Sequence, residues 1–312
     1  MIWRVDIESA LQANGGLATT RQLLTIMTRK RLEVLVKAGN LIRVCRGVYG
    51  LSEPDMLTQL AALDLLSREP IVACMGTAAA LYGFDTERSS RLHILDPGVR
   101  MRPSAGLMVH QRVGAPLRRV EGRLATAPAW TVIEVARSLP RPRALATLDA
   151  ALHIRACSTG ELDAATREQK GRRGIVKVRE LICYADGRAE SPMESETRLV
   201  FIDNQVPKPE LQYSIVDQYG KLWRVDFAWP EAMVFAEYDS VQWHLGREAL
   251  MHDRQKTARL QECGWLSIPV TVDDVRDDPV GLADRLKFHL ASRRVSPQIS
   301  TDLGAYASAR AT

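Results

Sequence analysis

Early in the chain, apolar positions recur at the spacing of amphipathic helices. "VDIESALQAN" stops at Gly15–Gly16, a natural cap and turn, and "TTRQLLTIM" opens on Thr19 and Thr20 as candidate N-caps. "TRKRLEVLVKAGN" sets Leu32, Leu35 and Val36 on one face and ends at Gly39–Asn40. "LIRVCRGVYGL" then reads as two short strands broken near Arg46–Gly47. Three helices and a hairpin over residues 5–51 predict a winged helix-turn-helix.

Residues 53–165 mix the two periodicities. "DMLTQLAALDLLSRE" and "RALATLDAALHIRA" are helical, whereas "RLHILDP" and "GLMVHQRV" are strand-like. Beyond residue 190 the order is clearer. "SPMESETRLVFIDN" predicts a helix with Ser191 as N-cap and Pro192 in the first turn. Three strands follow, "PELQYSIVD", "KLWRVDFAW" and "AMVFAEYD", with turns at Tyr219–Gly220 and Pro230–Glu231. A helix over 246–263, a strand "WLSIPVTVDDV" and a closing helix "PVGLADRLKFHLASRR" complete an α/β/α sandwich. Pro269 lacks a backbone donor and points to a sheet edge or a bulge.

Composition narrows the class. A chain of 312 residues exceeds the usual single-domain length, so an α+β multidomain protein is expected. With 46% hydrophobic and 25% charged residues it is a soluble globular type. A net charge of +5 suits a polyanionic partner. Five dispersed cysteines without a C-x-x-C pair suit a reducing cytosol. The longest uncharged apolar run, "IVACMGTAAALYGF" (71–84), is too short to span a bilayer, and the expected location is cytoplasmic, away from membranes. The small, polar residues 295–312 predict a mobile tail.

Basic residues gather where a winged domain would meet DNA. Thr28, Arg29, Lys30 and Arg31 open the third helix, and Arg43 and Arg46 lie on the wing. The competing reading is a winged domain for protein contacts; DNA is preferred. The run "REQKGRRGIVKVRE" (167–180), with Arg172 and Arg173 at its centre, fits either a solvated linker or a track for a phosphate backbone. His93, His110 and His153 lack metal-ligand spacing and read as ordinary core or surface histidines. No phosphate-binding glycine loop or nucleophile elbow is present.

The chemistry concentrates in "VDFAWPEAMVFAEYDSVQWH" (225–244). Strand alternation points Glu237 and Asp239 the same way, and the tight turn brings Asp226 near Glu237. Carboxylates so placed repel one another unless a hard cation such as Mg²⁺ or Mn²⁺ neutralises them. Such a cation also acidifies a water and steadies phosphoryl charge. His244 and Lys256 are candidate bases or charge stabilisers. The alternative leaves Asp226 and Glu237 at exposed strand ends and Asp239 in a turn with Ser240.

Two resemblances complete the reading. "SPMESETR", "VDFAWPE", "EYDSVQWH", "DRQKTARLQECGW" and "VTVDDV" make residues 191–291 resemble the PD-(D/E)XK nuclease superfamily, in its DUF559-type branch related to very-short-patch repair endonucleases. The resemblance implies Asp226 and Glu237 as metal ligands and Glu194 or Glu196 as the helix-borne acid, with Glu194 preferred. Asp239 stands where the nuclease lysine falls, so the resemblance gives that work to Lys256 or His244. "GGLATTRQLL", "LVKAGNLIRVCRGVYGL", "GTAAALYGF" and "RLHIL" make residues 5–165 resemble AbiEi antitoxins. That family implies binding to promoter DNA and a nucleotidyltransferase toxin as partner.

The expected domains are a winged helix-turn-helix (1–52), an AbiEi-like middle domain (53–165), a basic linker (166–189), a nuclease-like domain (190–292) and a tail (293–312). The preferred function is a Mg-dependent endonuclease. A homodimer would supply two sites for double-strand cleavage. The alternative is an AbiEi-like repressor or antitoxin of a type IV toxin–antitoxin system whose nuclease-like domain does not cut.

Overall fold

Side chains close the ends of the first helices. In the computed structural model, which describes residues 2–99, 101–111, 114–239 and 247–294, α1 (Ile2–Gln12) and β1 (Ala18–Thr19) precede α2 (Thr20–Ile26). Thr19 and Gln22 cap α2 reciprocally: Gln22 N donates to Thr19 Oγ1 at 3.2 Å and Thr19 N donates to Gln22 Oε1 at 2.8 Å. Thr28 caps α3 (Arg29–Lys37) by accepting from Arg31 N at 3.3 Å. Strands β2 (Ile42–Cys45) and β3 (Val48–Gly50) form a hairpin around Gly47, whose φ of +90° suits glycine. The sheet order is β1-β3-β2, over a core of Ile7, Leu11, Leu23, Leu32, Leu35, Leu41 and Tyr49.

The chain divides into two compact units, Met1–Glu134 and Val135–Thr312. The first continues with α4 (Met56–Ser67), β4 (Val72–Ala73), α5 (Met75–Tyr82), β5 (Leu92–Leu95), β6 (Leu107–His110), β7 (Leu117–Val120) and β8 (Arg123–Thr126). These strands make one mixed sheet in the order β6-β5-β4-β8-β7. Leu60, Leu63, Ile71, Ile94 and Leu107 fill its core. The division falls within α6 (Pro128–Ala136).

The second unit opens with α7 (Arg141–His153), α8 (Thr159–Glu168) and α9 (Ile175–Ile182). Residues 166–189 were expected to be a linker, and here the structure differs. Helix α9 buries Ile175, Val178, Leu181 and Ile182 and packs against α7. Its apolar positions at i, i+3, i+6 and i+7 form one stripe, which the flanking basic residues conceal in a reading by charge. Gly174 begins the helix with φ +85°, and a Cβ there would lie 2.3 Å from the Arg137 carbonyl oxygen. Arg173 is exposed and Arg172 half-buried beside this tight approach.

Then come α10 (Pro192–Asp203), β9 (Glu210–Val216), β10 (Leu222–Trp229), β11 (Val234–Tyr238), α11 (Arg247–Glu262), β12 (Leu266–Val270), α12 (Val272–Arg276) and α13 (Pro279–Arg294). The sheet order is β12-β11-β10-β9, with β11 and β12 parallel and the other pairs antiparallel. Pro269 lies on β12, at the sheet's edge. The segment "VTVDDV" does not continue that strand. Thr271 N and Oγ1 donate to Asp274 Oδ2 at 2.8 and 2.7 Å, and Asp274 N donates to Thr271 Oγ1 at 3.2 Å, so a capping box starts α12 instead.

Helices cover both faces of the sheet. Phe201 of α10 and Leu282 and Leu286 of α13 pack with Phe227, Trp229 and Val234, whereas Leu260 of α11 packs with Trp223, Val225 and Phe235. On β9, Leu211 joins the first cluster, but Tyr213 and Ile215 join the second. Strict alternation would keep these three on one face. The chain changes faces at Gln212, whose φ is +53°. On β10 the same change falls between Val225 and Phe227, at Asp226. Among the described residues the whole is thus a mixed α/β structure with thirteen α-helices and three sheets.

Candidate functional site

The face change gathers polar side chains at one point of the second unit. Ser191 caps α10 by accepting from Glu194 N at 3.2 Å, which sets Glu194 in the first turn, buried. Its Oε2 accepts from Glu190 N at 3.0 Å and from Gln212 Nε2 at 2.8 Å. Asp226 lies between the ladder pairs Val225↔Tyr213 and Phe227↔Leu211, and its Oδ2 accepts from Tyr238 N at 3.1 Å. Glu237, next along β11 from Ala236, bonds Lys256 Nζ of α11 through Oε1.

The three carboxyls share one electrostatic condition. Burial raises the pKa of Glu194, Asp226 and Glu237, and the charge of Asp226 adds to the effect at the other two. Lys256 works against the rise at Glu237 and Asp226. Repulsion between carboxylates held this way is what a hard, oxygen-seeking cation such as Mg²⁺ or Mn²⁺ relieves. Among the described residues, no group of three His, Cys, Asp or Glu side chains stands ready to hold a metal ion. The carboxylates are electrostatic neighbours rather than a closed cage.

Glu194 and Glu196 part company here. Glu196 is buried between two guanidiniums: Arg143 Nη1 at 2.8 Å, and Arg276 Nε and Nη2, each at 3.0 Å. Despite its burial, those partners hold its pKa below the ordinary range. Glu196 therefore ties α7, α10 and α12 together, and Glu194 alone faces Asp226. Asp239 is exposed beyond the end of β11, with its N–H donated to Val270 O at 2.8 Å. His244 and Ser240 lie outside the described residues. Gln212 and the Glu190–Arg224 ion pair (2.6 Å) carried no sequence signal, because a left-handed residue inside a strand breaks no visible pattern.

Two of the histidines read as isolated are partners. His93 Nδ1 and His110 Nε2 lie 3.0 Å apart across the parallel pair β5–β6. In the first unit Arg29, Lys30 and Arg31 are exposed at the start of α3, and Arg43 and Arg46 are exposed around the hairpin. Arg43 also lies over the Tyr49 ring at 5.8 Å. No described helix is long and apolar enough to cross a membrane.

Two proteins of Mycobacterium tuberculosis, Rv2248 and MT2308, are each 60% identical to this chain over 270 residues, covering 86% of it and 100% of their own length. The chain belongs to their family. Both relatives are described as uncharacterized proteins. Residues 71–183 of this family member match the AbiEi antitoxin C-terminal domain. The match begins at β4 and ends just after α9, so it takes in residues 166–183 of the segment expected to be a linker.

Proposed function

We propose that this protein is a DNA-binding regulator of the AbiEi type, an antitoxin or repressor of its own operon. The observation that carries the proposal is the AbiEi antitoxin C-terminal domain at residues 71–183. In support, α1, α2 and α3 are followed by the β2–β3 hairpin, the element order expected of a winged helix-turn-helix. Exposed Arg29, Lys30 and Arg31 begin α3, where backbone N–H groups and the helix dipole also favour phosphate. Arg43 and Arg46 on the hairpin suit backbone contacts. A nucleotidyltransferase toxin is the protein partner this reading implies.

The test is a gel-shift titration with DNA from upstream of the protein's own gene. Arg29→Glu with Arg31→Glu should abolish the shift. An unchanged footprint in that variant would remove the N-terminal helices from the account.

A second reading, a metal-dependent phosphodiesterase, is favoured by one observation. Glu194, Asp226, Glu237 and Lys256 converge from α10, β10, β11 and α11. A divalent cation held by Asp226 and Glu237 would supply an acidified water and charge neutralisation. Lys256 would then be placed to steady negative charge on a phosphoryl oxygen. Supercoiled plasmid incubated with Mg²⁺ or Mn²⁺ tests this. Nicking that vanishes with EDTA and in Asp226→Ala supports the enzyme. Tight DNA binding without any cleavage leaves the regulator alone.

A further inference from the structure

Gln212 sits in the middle of β9 with φ +53°, a left-handed backbone that residues bearing a Cβ adopt only against strain. Such strain persists where the surroundings fix it. Here the twist sends Leu211 into one core and Tyr213 into the other, and the Gln212 amide meets Glu194. Nε2 donates at 2.8 Å to Glu194 Oε2, the same oxygen that accepts the Glu190 N–H at 3.0 Å. Asp226 occupies the position across the ladder, between the pairs that flank Gln212.

We infer that Gln212 is a positioning residue for cation binding at the carboxylate cluster, its left-handed backbone presenting an amide that fixes the Glu194 carboxylate beside Asp226. The inference rests on the cation-site reading given above. Glu194 and Asp226 repel each other when both are ionised, and a glutamate free to rotate would turn away. Two N–H donors on one oxygen prevent that rotation and favour the ionised form that ligation needs. The Glu190 donor belongs to the main chain, so the Gln212 amide is the one that substitution can remove. Hydrogen-bond partners of ligands commonly govern affinity in this way, by about 10–100-fold.

The experiment uses the full chain, titrated calorimetrically with MnCl₂ and melted separately without added cation. Wild type, Asp226→Asn, Gln212→Gly and Gln212→Asn are compared. Glycine relieves the backbone strain but removes the amide. Asparagine keeps an amide and tolerates the left-handed conformation. The expected result is Mn²⁺ binding that depends on Asp226 and weakens about 10–100-fold in Gln212→Gly. That variant should melt at or above the wild-type temperature, and Gln212→Asn should recover part of the affinity. Stability and affinity would then move in opposite directions.

Unchanged Mn²⁺ affinity in Gln212→Gly overturns the inference while leaving the cation site standing. Parallel loss of melting temperature and affinity overturns it too, in favour of a structural role. A wild-type chain without Asp226-dependent Mn²⁺ binding overturns the cation-site reading, and the inference with it.

Discussion

Asp149 and Arg198 meet at 2.5 Å inside the second unit, with side chains only 1% and 9% exposed. Asp149 belongs to α7 and Arg198 to α10, so the pair locks the helical segment to the sheet-bearing segment. Asp149 Oδ1 also accepts from Asp186 N at 2.8 Å, and Arg198 Nη1 bonds Tyr184 O. Removing the carboxylate strands a buried guanidinium. Asp149→Ala should destabilise the second unit by about 3–5 kcal/mol, read from the urea midpoint. A chain starting at residue 190 lacks both Asp149 and Arg143 and should show no cooperative unfolding transition.

Glu196 makes an acid-sensitive contribution. Its folded pKa lies below the ordinary value through Arg276 and Arg143, despite burial. The stability it provides is fully present above the ordinary glutamate pKa and is lost as pH falls through the depressed folded value. Glu196→Gln should lower the melting temperature at pH 7 and shrink the loss seen on acidification towards pH 3. Equal acid sensitivity in wild type and variant would exclude Glu196 as the source.

Asp226 has the opposite sign. Burial raises its folded pKa, so the folded state takes up a proton more readily than the unfolded chain. Stability from this group therefore falls as pH rises through the window between the ordinary and the raised value. Asp226→Asn should melt higher than wild type at pH 7.5, with the gap closing near pH 4. Thermal melts at both pH values check it, and a lower melting temperature at pH 7.5 would contradict it.

Gly174→Ala is predicted to be costly although the site is near the surface. The added Cβ would fall 2.3 Å from the Arg137 carbonyl oxygen, and φ is +85°. Backbone must shift, and a loss of roughly 1–3 kcal/mol is expected, measured by chemical denaturation.

Much of this was legible from residue order. Caps at Thr19 and Ser191 are short-range signals, and the structure uses both, whereas Thr20, the other candidate, is the first residue of α2. The nearness of Asp226 to Glu237 follows from alternation across a short turn. Long-range pairing was not legible. Nothing in "RALATLDAALHIRA" says that Asp149 will meet Arg198, and nothing in "RLHILDP" and "GLMVHQRV" says that His93 will meet His110. Periodicity reports which face is buried, not what buries it. The charge of residues 167–180 misled for the same reason, since the basic side chains flank an apolar stripe.

The division inside α6 has a consequence for how such a chain can be inherited. The AbiEi-matching segment, residues 71–183, straddles the two compact units. A recombination event that transplanted only that segment would carry α7 away from its partner α10 and leave Asp149 without Arg198. The sheet left behind would keep a guanidinium with no counter-charge. Exchange within this lineage should therefore favour breakpoints near α6, so that the helices after it travel with the sheet they seal.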